Sequence, residues 1–335
     1  MPDSRLRVLL NGFQVSEALH AAAELGVPDA FARGSLSLEA LASATGTLSD
    51  PLGRLMRVLS DLDVVARDAD GRYRLTAMGE RMRPDVEGNW NAWTRTIGSP
   101  AIRQSWSRLS DAIRTGKTGF ELAHGSGIWA YRAQHPEEGE RFDSAMRSGT
   151  ERLAEPVSRC LGNLDGAHIV DVGGGDGSLL AHLLRKHPAS TGSLLEHGEA
   201  AQRASESLSR QGLQDRVRVI EGDFFKAVPP EGDLYMLKFV LHDWDDDRAL
   251  RILRSCRAAV QTRGGAASLV VIERLLDAAV GAREASLADL NMLVNTGGRE
   301  RTRQEYERLL ECTGFGLSRC EAVSGSLTVM RAEPR

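Results

Sequence analysis

The 335-residue chain is short of several features, and each shortage removes a class of protein. Its four cysteines (Cys160, Cys256, Cys312 and Cys320) form no C-x-x-C pair and show no zinc-ligand spacing. That excludes a disulfide scaffold and a structural zinc site, and buried, reduced thiols are expected. No apolar run approaches the ~18–20 residues of a membrane span, so no membrane partner is expected. Polar residues interrupt the apolar ones at the N-terminus, where a secretory signal would be continuous, and a cytoplasmic location follows. Lysine occurs only at 117, 186, 226 and 238 among 42 basic residues, an imbalance that reflects codon composition and makes Lys238, in an apolar stretch, stand out. A net charge of −4 gives no electrostatic reason to bind nucleic acid. What remains, at 41% apolar and 26% charged residues, is an ordinary globular composition on a chain long enough for two domains.

The pattern changes character along the chain. Leu6, Leu9, Leu10, Phe13, Ala18, Leu19 and Ala22 recur at helical spacing over residues 5–25, until Gly26. Helices are expected over 37–46 and 50–64, the second with Asp50 as N-cap and Pro51 at its first position. Residues 64–75 read as a hairpin turning at Asp70-Gly71. Helix, turn, helix and hairpin make a winged helix. Arg54 and Arg57 could face a DNA groove, yet basic clustering is absent, and the apolar stripe suits burial against a second copy or a second domain. Residues 85–165 look helical and carry Trp90, Trp93, Trp106 and Trp129, which suit a core or the wall of a ligand pocket. Beyond them, apolar strands over 167–172, 191–196, 216–220, 233–239 and 267–273 enclose helical patterns at 177–187, 199–211 and 246–262. A helix at 302–312 and strands at 316–322 and 326–331 close the chain. Such alternation means an α/β fold with a parallel sheet covered on both faces. The expected domains span 1–90, 91–160 and 161–335.

The first of those strands runs into D171-V-G-G-G-D-G177, directly before a helix. Glycines there let the backbone turn tightly and pass against a ligand with its N–H groups free. A dinucleotide fold prefers G-x-G-x-x-G aimed at a pyrophosphate. Here the spacing is D-x-G-x-G-x-G, and Asp171 beside the loop would repel a pyrophosphate. Asp171, Gly173 and Gly175 suit a cationic, phosphate-free nucleoside with an amino-acid tail, and S-adenosyl-L-methionine answers that description. Glu196 ends the second strand, 25 residues after Asp171, where an acid can bond ribose hydroxyls. Asp223 follows the third strand, placed to accept from an adenine amino group while Phe224 stacks on its ring. Three acids at the carboxyl ends of consecutive strands are far more specific than any one of them. His242, in L237-K-F-V-L-H-D-W-D-D-D247, follows the fourth strand at the same rim. Asp245–Asp247 could suggest a metal site, but they suit a helix N-terminus better, and no metal is expected.

Four stretches, VDVGGGDG (170–177), EGDFF (221–225), LKFVLHDWDDD (237–247) and GGRERT (297–302), resemble in order and spacing the plant and bacterial S-adenosylmethionine-dependent small-molecule O-methyltransferases, the class that includes caffeic acid and polyketide-tailoring enzymes. The resemblance covers nearly the whole chain. It implies a Rossmann-like methyltransferase fold with a mainly parallel sheet, and an N-terminal all-helical winged-helix dimerisation domain that makes the protein a homodimer. It implies cofactor contacts from Gly173, Glu196, Asp223, Phe224 and Lys238, His242 as catalytic base, and Glu273 and Glu300 as the acids that flank it. Which acid dominates stays open. Asp243 and Asn295 match positions that touch the acceptor, and Met146, Met292, Trp93 and Phe142 are candidates for walls around a planar aromatic ring. The chain departs from many relatives in having Glu196-His197-Gly198 where Asp-Leu-Pro is common; Glu still reaches a ribose. The expected function is O-methylation of an aromatic secondary metabolite. C-methylation, non-methylating use of the cofactor, and a cofactor-binding regulator acting on DNA are the rival readings.

Overall fold

The structure, a computed structural model, describes residues 2–262, 264 and 267–335. The chain divides into two compact units, residues 1–103 with 136–152, and residues 104–135 with 153–335.

In the first unit, helices Pro2–Leu10 and Gly12–Glu24 meet at Asn11, so the apolar pattern of 5–25 folds as two helices instead of one. Helices Leu38–Thr45 and Ser49–Asp61 follow, then strands β1 (Val65–Arg67) and β2 (Tyr73–Leu75). The strands pair antiparallel as the expected hairpin, and Leu36 bridges to Tyr73 on the other side of β2. The helix expected from Asp50 begins at Ser49 with Leu48 as N-cap and no side-chain cap. Asp50 therefore sits in the first turn, where its carboxylate meets Arg54 at 3.1 Å and complements the helix dipole. Phe31, Leu41, Leu52, Met56, Leu59, Val65 and Leu75 form this unit's core.

The second unit is built on a seven-stranded sheet. Its strands are β3 (His168–Val172), β4 (Thr191–Glu196), β5 (Val217–Glu221), β6 (Leu234–Lys238), β7 (Ser268–Arg274), β8 (Phe315–Ser324) and β9 (Leu327–Pro334). They lie in the order β5-β4-β3-β6-β7-β9-β8. The first five are parallel, and β9 and β8 close the edge antiparallel. The inner strands β3, β6 and β7 read as near-continuous apolar runs because both faces are covered, whereas the edge strands β5 and β8 alternate with exposed polar residues. Val170, Val172, Tyr235, Leu237, Leu269 and Val271 pack with helices Asp246–Thr262 and Arg303–Glu311, whereas Ile169, Leu194, Leu234, Met236, Val270 and Ile272 pack with Ser178–Lys186 and Gly198–Arg210. The order reverses between β3 and β6, and the crevice at such a switch point, outside the carboxyl ends of the strands, is where α/β sheets bind ligands. Asp171, Glu196, Lys238 and Glu273 all stand at those ends. No helix among the described residues is long and apolar enough to cross a membrane.

Candidate active site

The glycine loop leaves β3 beneath this crevice. Gly173, Gly175 and Gly177 all have positive φ, and Gly177 caps helix Ser178–Lys186. Gly175 (φ +59°) faces open space: a Cβ there would meet nothing within 4 Å. Its N–H donates to Glu196 Oε2 at 2.9 Å, while Glu196 Oε1 accepts from the His197 N–H, so the acid that ends β4 is aligned by the loop it faces. Phe224 lies against the loop's other side, 3.4 Å from where a Gly173 Cβ would stand, and its edge faces Phe225. Asp223 Oδ1 accepts from the Phe225 N–H at 2.9 Å, which fixes that turn.

Charges under the loop are unusual. Burial pushes Asp171 up to about 7, against the pull of Lys238 and with help from Glu196 and Asp176. Burial likewise brings Lys238 down to about 8, while Asp171, Asp176 and Glu273 favour its charged form. The lone lysine of the apolar stretch thus faces three acids. The crevice supplies an aligned carboxylate, an aromatic face, and a glycine backbone open to a ligand's approach. This donor set, in which Asp171, Asp176 and Glu196 outnumber Lys238, fits a cationic nucleoside better than a pyrophosphate.

His242 sits in a short turn after β6 that Phe239 enters with φ +54°, a left-handed conformation that bulky residues rarely adopt. Glu273 Oε1 holds the turn by accepting from the N–H groups of Val240 (3.0 Å), Leu241 (2.9 Å) and His242 (3.3 Å). The His242 Nδ1–H donates to Glu300 Oε1 at 3.0 Å, and Glu273 Oε2 lies 3.4 Å from the same nitrogen. Both glutamates are fully buried. Glu300 is therefore the nearer partner of the ring, and Glu273 chiefly a clamp on its backbone. Phe239 stacks on the imidazole with centroids 5.4 Å apart and planes 13° apart. The GGRERT segment reaches the turn only because residue 298 has no side chain: a Cβ there would come within 2.1 Å of the His242 carbonyl oxygen.

Burial disfavours the His242 imidazolium, but Glu273, Glu300 and Asp243 outweigh it and hold the ring's pKa up at about 10. Asp243 is pushed up to about 6 by burial, opposed by His242 and Arg132, and its Oδ1 lies 3.8 Å from Nε2. Glu273 rises to about 7, again chiefly through burial.

Asn295 is buried on helix Ala282–Asn295. Its amide donates to Asn291 Oδ1 (2.8 Å) and Asn291 O (3.1 Å), while its own Oδ1 has no hydrogen-bond partner. Trp106 Nε1–H, a donor only, binds the same Asn291 Oδ1 at 3.3 Å and so fixes both amide orientations. Met292 is buried on the same helix. Trp93, Phe142 and Met146 belong to the first unit and are half-buried there. Asp245 and Asp246 are engaged locally, Asp245 with the Arg248 N–H and Asp246 with Arg301. Residue patterns gave no sign of Asn291, and placed Phe239 and Arg301 in matched stretches without revealing what either does, because each acts through a neighbour that only the fold supplies. A cavity of about 710 Å3 at the amino ends of β3–β5, lined by His168, Thr191, Arg218 and Glu231, lies at the opposite end of these strands.

Two family models match the chain: an O-methyltransferase dimerisation domain over residues 8–84 and an O-methyltransferase domain over 106–316. An O-demethylpuromycin-O-methyltransferase from Streptomyces alboniger is 37% identical over 96% of this chain and 86% of that protein. Among solved structures, the mitomycin 7-O-methyltransferase MmcR superposes with a TM-score of 0.90 at 34% identity, covering 100% of this chain and 98% of that one. The O-methyltransferase NcsB1 from neocarzinostatin biosynthesis, solved with S-adenosylmethionine and 2-hydroxy-5-methyl naphthoic acid, superposes at 0.79 with 30% identity over 96% of each chain. The chain belongs to the S-adenosylmethionine-dependent small-molecule O-methyltransferase family.

Proposed function

We propose that this protein transfers a methyl group from S-adenosyl-L-methionine to a hydroxyl of an aromatic secondary metabolite, with His242 as the general base. The observation that carries the reading is the buried His242–Glu300 contact at the cofactor's end of the sheet. When bound, the cofactor supplies an electrophilic methyl group whose transfer is an in-line displacement, so positioning provides much of the acceleration. Gly173, Gly175, Asp171 and Lys238 form the cradle, Glu196 takes the ribose, and Asp223 with Phe224 takes the adenine.

His242 acts through Nε2, while Nδ1–H stays on Glu300. A phenol with pKa about 10 is a poor nucleophile at neutral pH. A ring held near 10 by its acids accepts that proton on even terms. The same acids favour a proton already on Nε2, so the share of the ring free to act as base grows as the pH rises toward that value. Glu300 and Glu273 then stabilise the imidazolium formed as the oxygen attacks, the logic of the catalytic triad. Asp243, Asn295 and Met292 are assigned to the acceptor, with the open carbonyl of Asn295 matched to a donor on its ring. The assignment extends to Trp93, Phe142 and Met146, whose alanine variants should raise KM for the acceptor without weakening the cofactor.

In this reading residues 1–90 dimerise, 91–160 contribute to acceptor binding and 161–335 bind the cofactor and do the chemistry, in a cytoplasmic homodimer. Methyl-labelled cofactor offered with a panel of phenols, naphthols and hydroxybenzoates tests it. Mass spectrometry should place the label in an O-methyl ether. Label on carbon, or no transfer to any phenol by enzyme that binds the cofactor, overturns the assignment.

A further inference from the structure

Arg301 is the largest fully buried side chain among the described residues. A guanidinium out of water is costly unless its donors are satisfied, and all but one of its hydrogen bonds go to residues 241–246. Nε–H donates to Asp246 Oδ1 at 2.9 Å, Nη1 to Leu241 O at 2.9 Å and Arg299 O at 3.3 Å, and Nη2 to Trp244 O at 2.8 Å. The neighbouring Arg299 N–H binds His242 O at 2.8 Å, and Arg301 O accepts from the Leu276 N–H just beyond β7. The carbonyls at 241, 242 and 244 are thus held by residues 299–301, while the amides at 240–242 converge on Glu273.

We propose that Arg301 is a positioning residue for His242: its guanidinium fork fixes the carbonyl side of the turn as Glu273 fixes the amide side, and so keeps Nδ1 on Glu300. The proposal rests on the base assignment above. The turn needs both clamps because it starts from a left-handed Phe239 and has no strand or long helix to set its path. Only a planar fork can reach two carbonyls and a carboxylate in three directions. A lysine at this position keeps the charge and loses that geometry. The groups that face the ring are Glu273, Glu300 and Asp243, with Arg132 behind Asp243, and those three acids are the leading charges on it. The influence of Arg301 is argued from geometry, the bonds from its fork to the carbonyls at 241 and 244.

The test compares wild type with Arg301→Lys and Asp246→Asn. Titration of the His242 imidazole is followed by nitrogen NMR in cofactor-free protein. Turnover is measured on the best phenol of the panel above, and S-adenosylhomocysteine affinity by calorimetry. Arg301→Lys should lower kcat on the order of 10- to 100-fold, the scale of a misplaced catalytic group. It should leave affinity for S-adenosylhomocysteine within about twofold and move the imidazole midpoint down toward the ordinary value of about 6.5 as the ring slips from Glu300. Asp246→Asn loosens the same fork from its half-exposed end, and should shift the midpoint in the same direction by less, which keeps the test alive if Arg301→Lys does not fold. A lower melting temperature with an unmoved midpoint and unchanged kcat per folded enzyme makes Arg301 merely structural and overturns the proposal. If His242→Gln also leaves turnover intact, the base assignment itself has failed; if that variant is inactive while the Arg301 and Asp246 midpoints stay put, only the positioning role falls.

Discussion

At the scale of single residues, the proposed chemistry turns on how two fully buried glutamates, with the partly buried Asp243 beside them, set one imidazole. Composition suggests an ordinary histidine, but the site makes His242 a much stronger base by placing Glu300 at 3.0 Å and Glu273 at 3.4 Å from Nδ1. Raised basicity has a sign that can be checked. A histidine whose folded pKa lies near 10 is protonated through neutral pH, so the rate should climb with pH beyond the ordinary imidazole value of about 6.5 and level off by about 10. A plateau already reached by pH 6 would contradict this electrostatic account. His242→Gln should lower kcat by roughly 10²–10⁴, the usual contribution of a general base, with cofactor affinity little changed. An acceptor already ionised at assay pH should recover part of that loss. Glu273→Gln and Glu300→Gln should each cost less and should not add, because they act as one unit with the ring. The donor atoms of the three lie within 4.8 Å of one another, and since a proton rather than a metal ion is taken to be shared there, EDTA should leave turnover unchanged.

At the scale of elements, what was legible in the sequence is what local chemistry dictates. Strands β3, β6 and β7 coincide with short apolar runs because the middle of a parallel sheet, covered on both faces, has no polar side to interrupt the pattern. The glycine loop announced itself because backbone at positive φ needs glycine at 173, 175 and 177. Helix ends were harder: Asp50 looks like an N-cap, yet the helix starts at Ser49, since first-turn acids and caps share the same residue types. Likewise the apolar stripe of 5–25 does not reveal the break at Asn11. In the site, His242 and the strand-end acids were readable from position along the chain. The division of labour between Glu273 and Glu300 was not, because it depends on which oxygen meets backbone and which meets the ring. The loop carries its own prediction. Gly175→Val forces a branched side chain onto φ +59° and into the open space beside the Glu196 carboxylate. Calorimetry should find binding of S-adenosyl-L-methionine and S-adenosylhomocysteine abolished in a protein whose circular dichroism is otherwise normal. NAD should bind neither form. Retained micromolar affinity in the variant would remove the loop from the cofactor site.

At the scale of the whole molecule, the N-terminal helices pose a burial problem that one chain leaves unsolved. Leu6, Val8, Leu9, Leu10 and Phe13 are each more than half exposed, and Leu10 and Phe13 stand at 68% and 64%. Single exposed apolar residues are common on monomers, but five within eight consecutive positions form a patch of the kind that marks an interaction surface. The segment also overlaps the region that matches the O-methyltransferase dimerisation domain, which begins at residue 8. A twofold interface is self-complementary, so one substitution acts twice in it. Leu9→Asp with Phe13→Asp places four charges in the assembled surface and disturbs little in the free chain, since both side chains already face water. Light scattering at micromolar concentration should give a mass near 73 kDa for wild type, twice the 36.4 kDa of one chain, and a single-chain mass for the double variant. A wild type that scatters as a monomer and turns over fully, or a double variant that stays dimeric, would show that these apolar side chains have some other purpose.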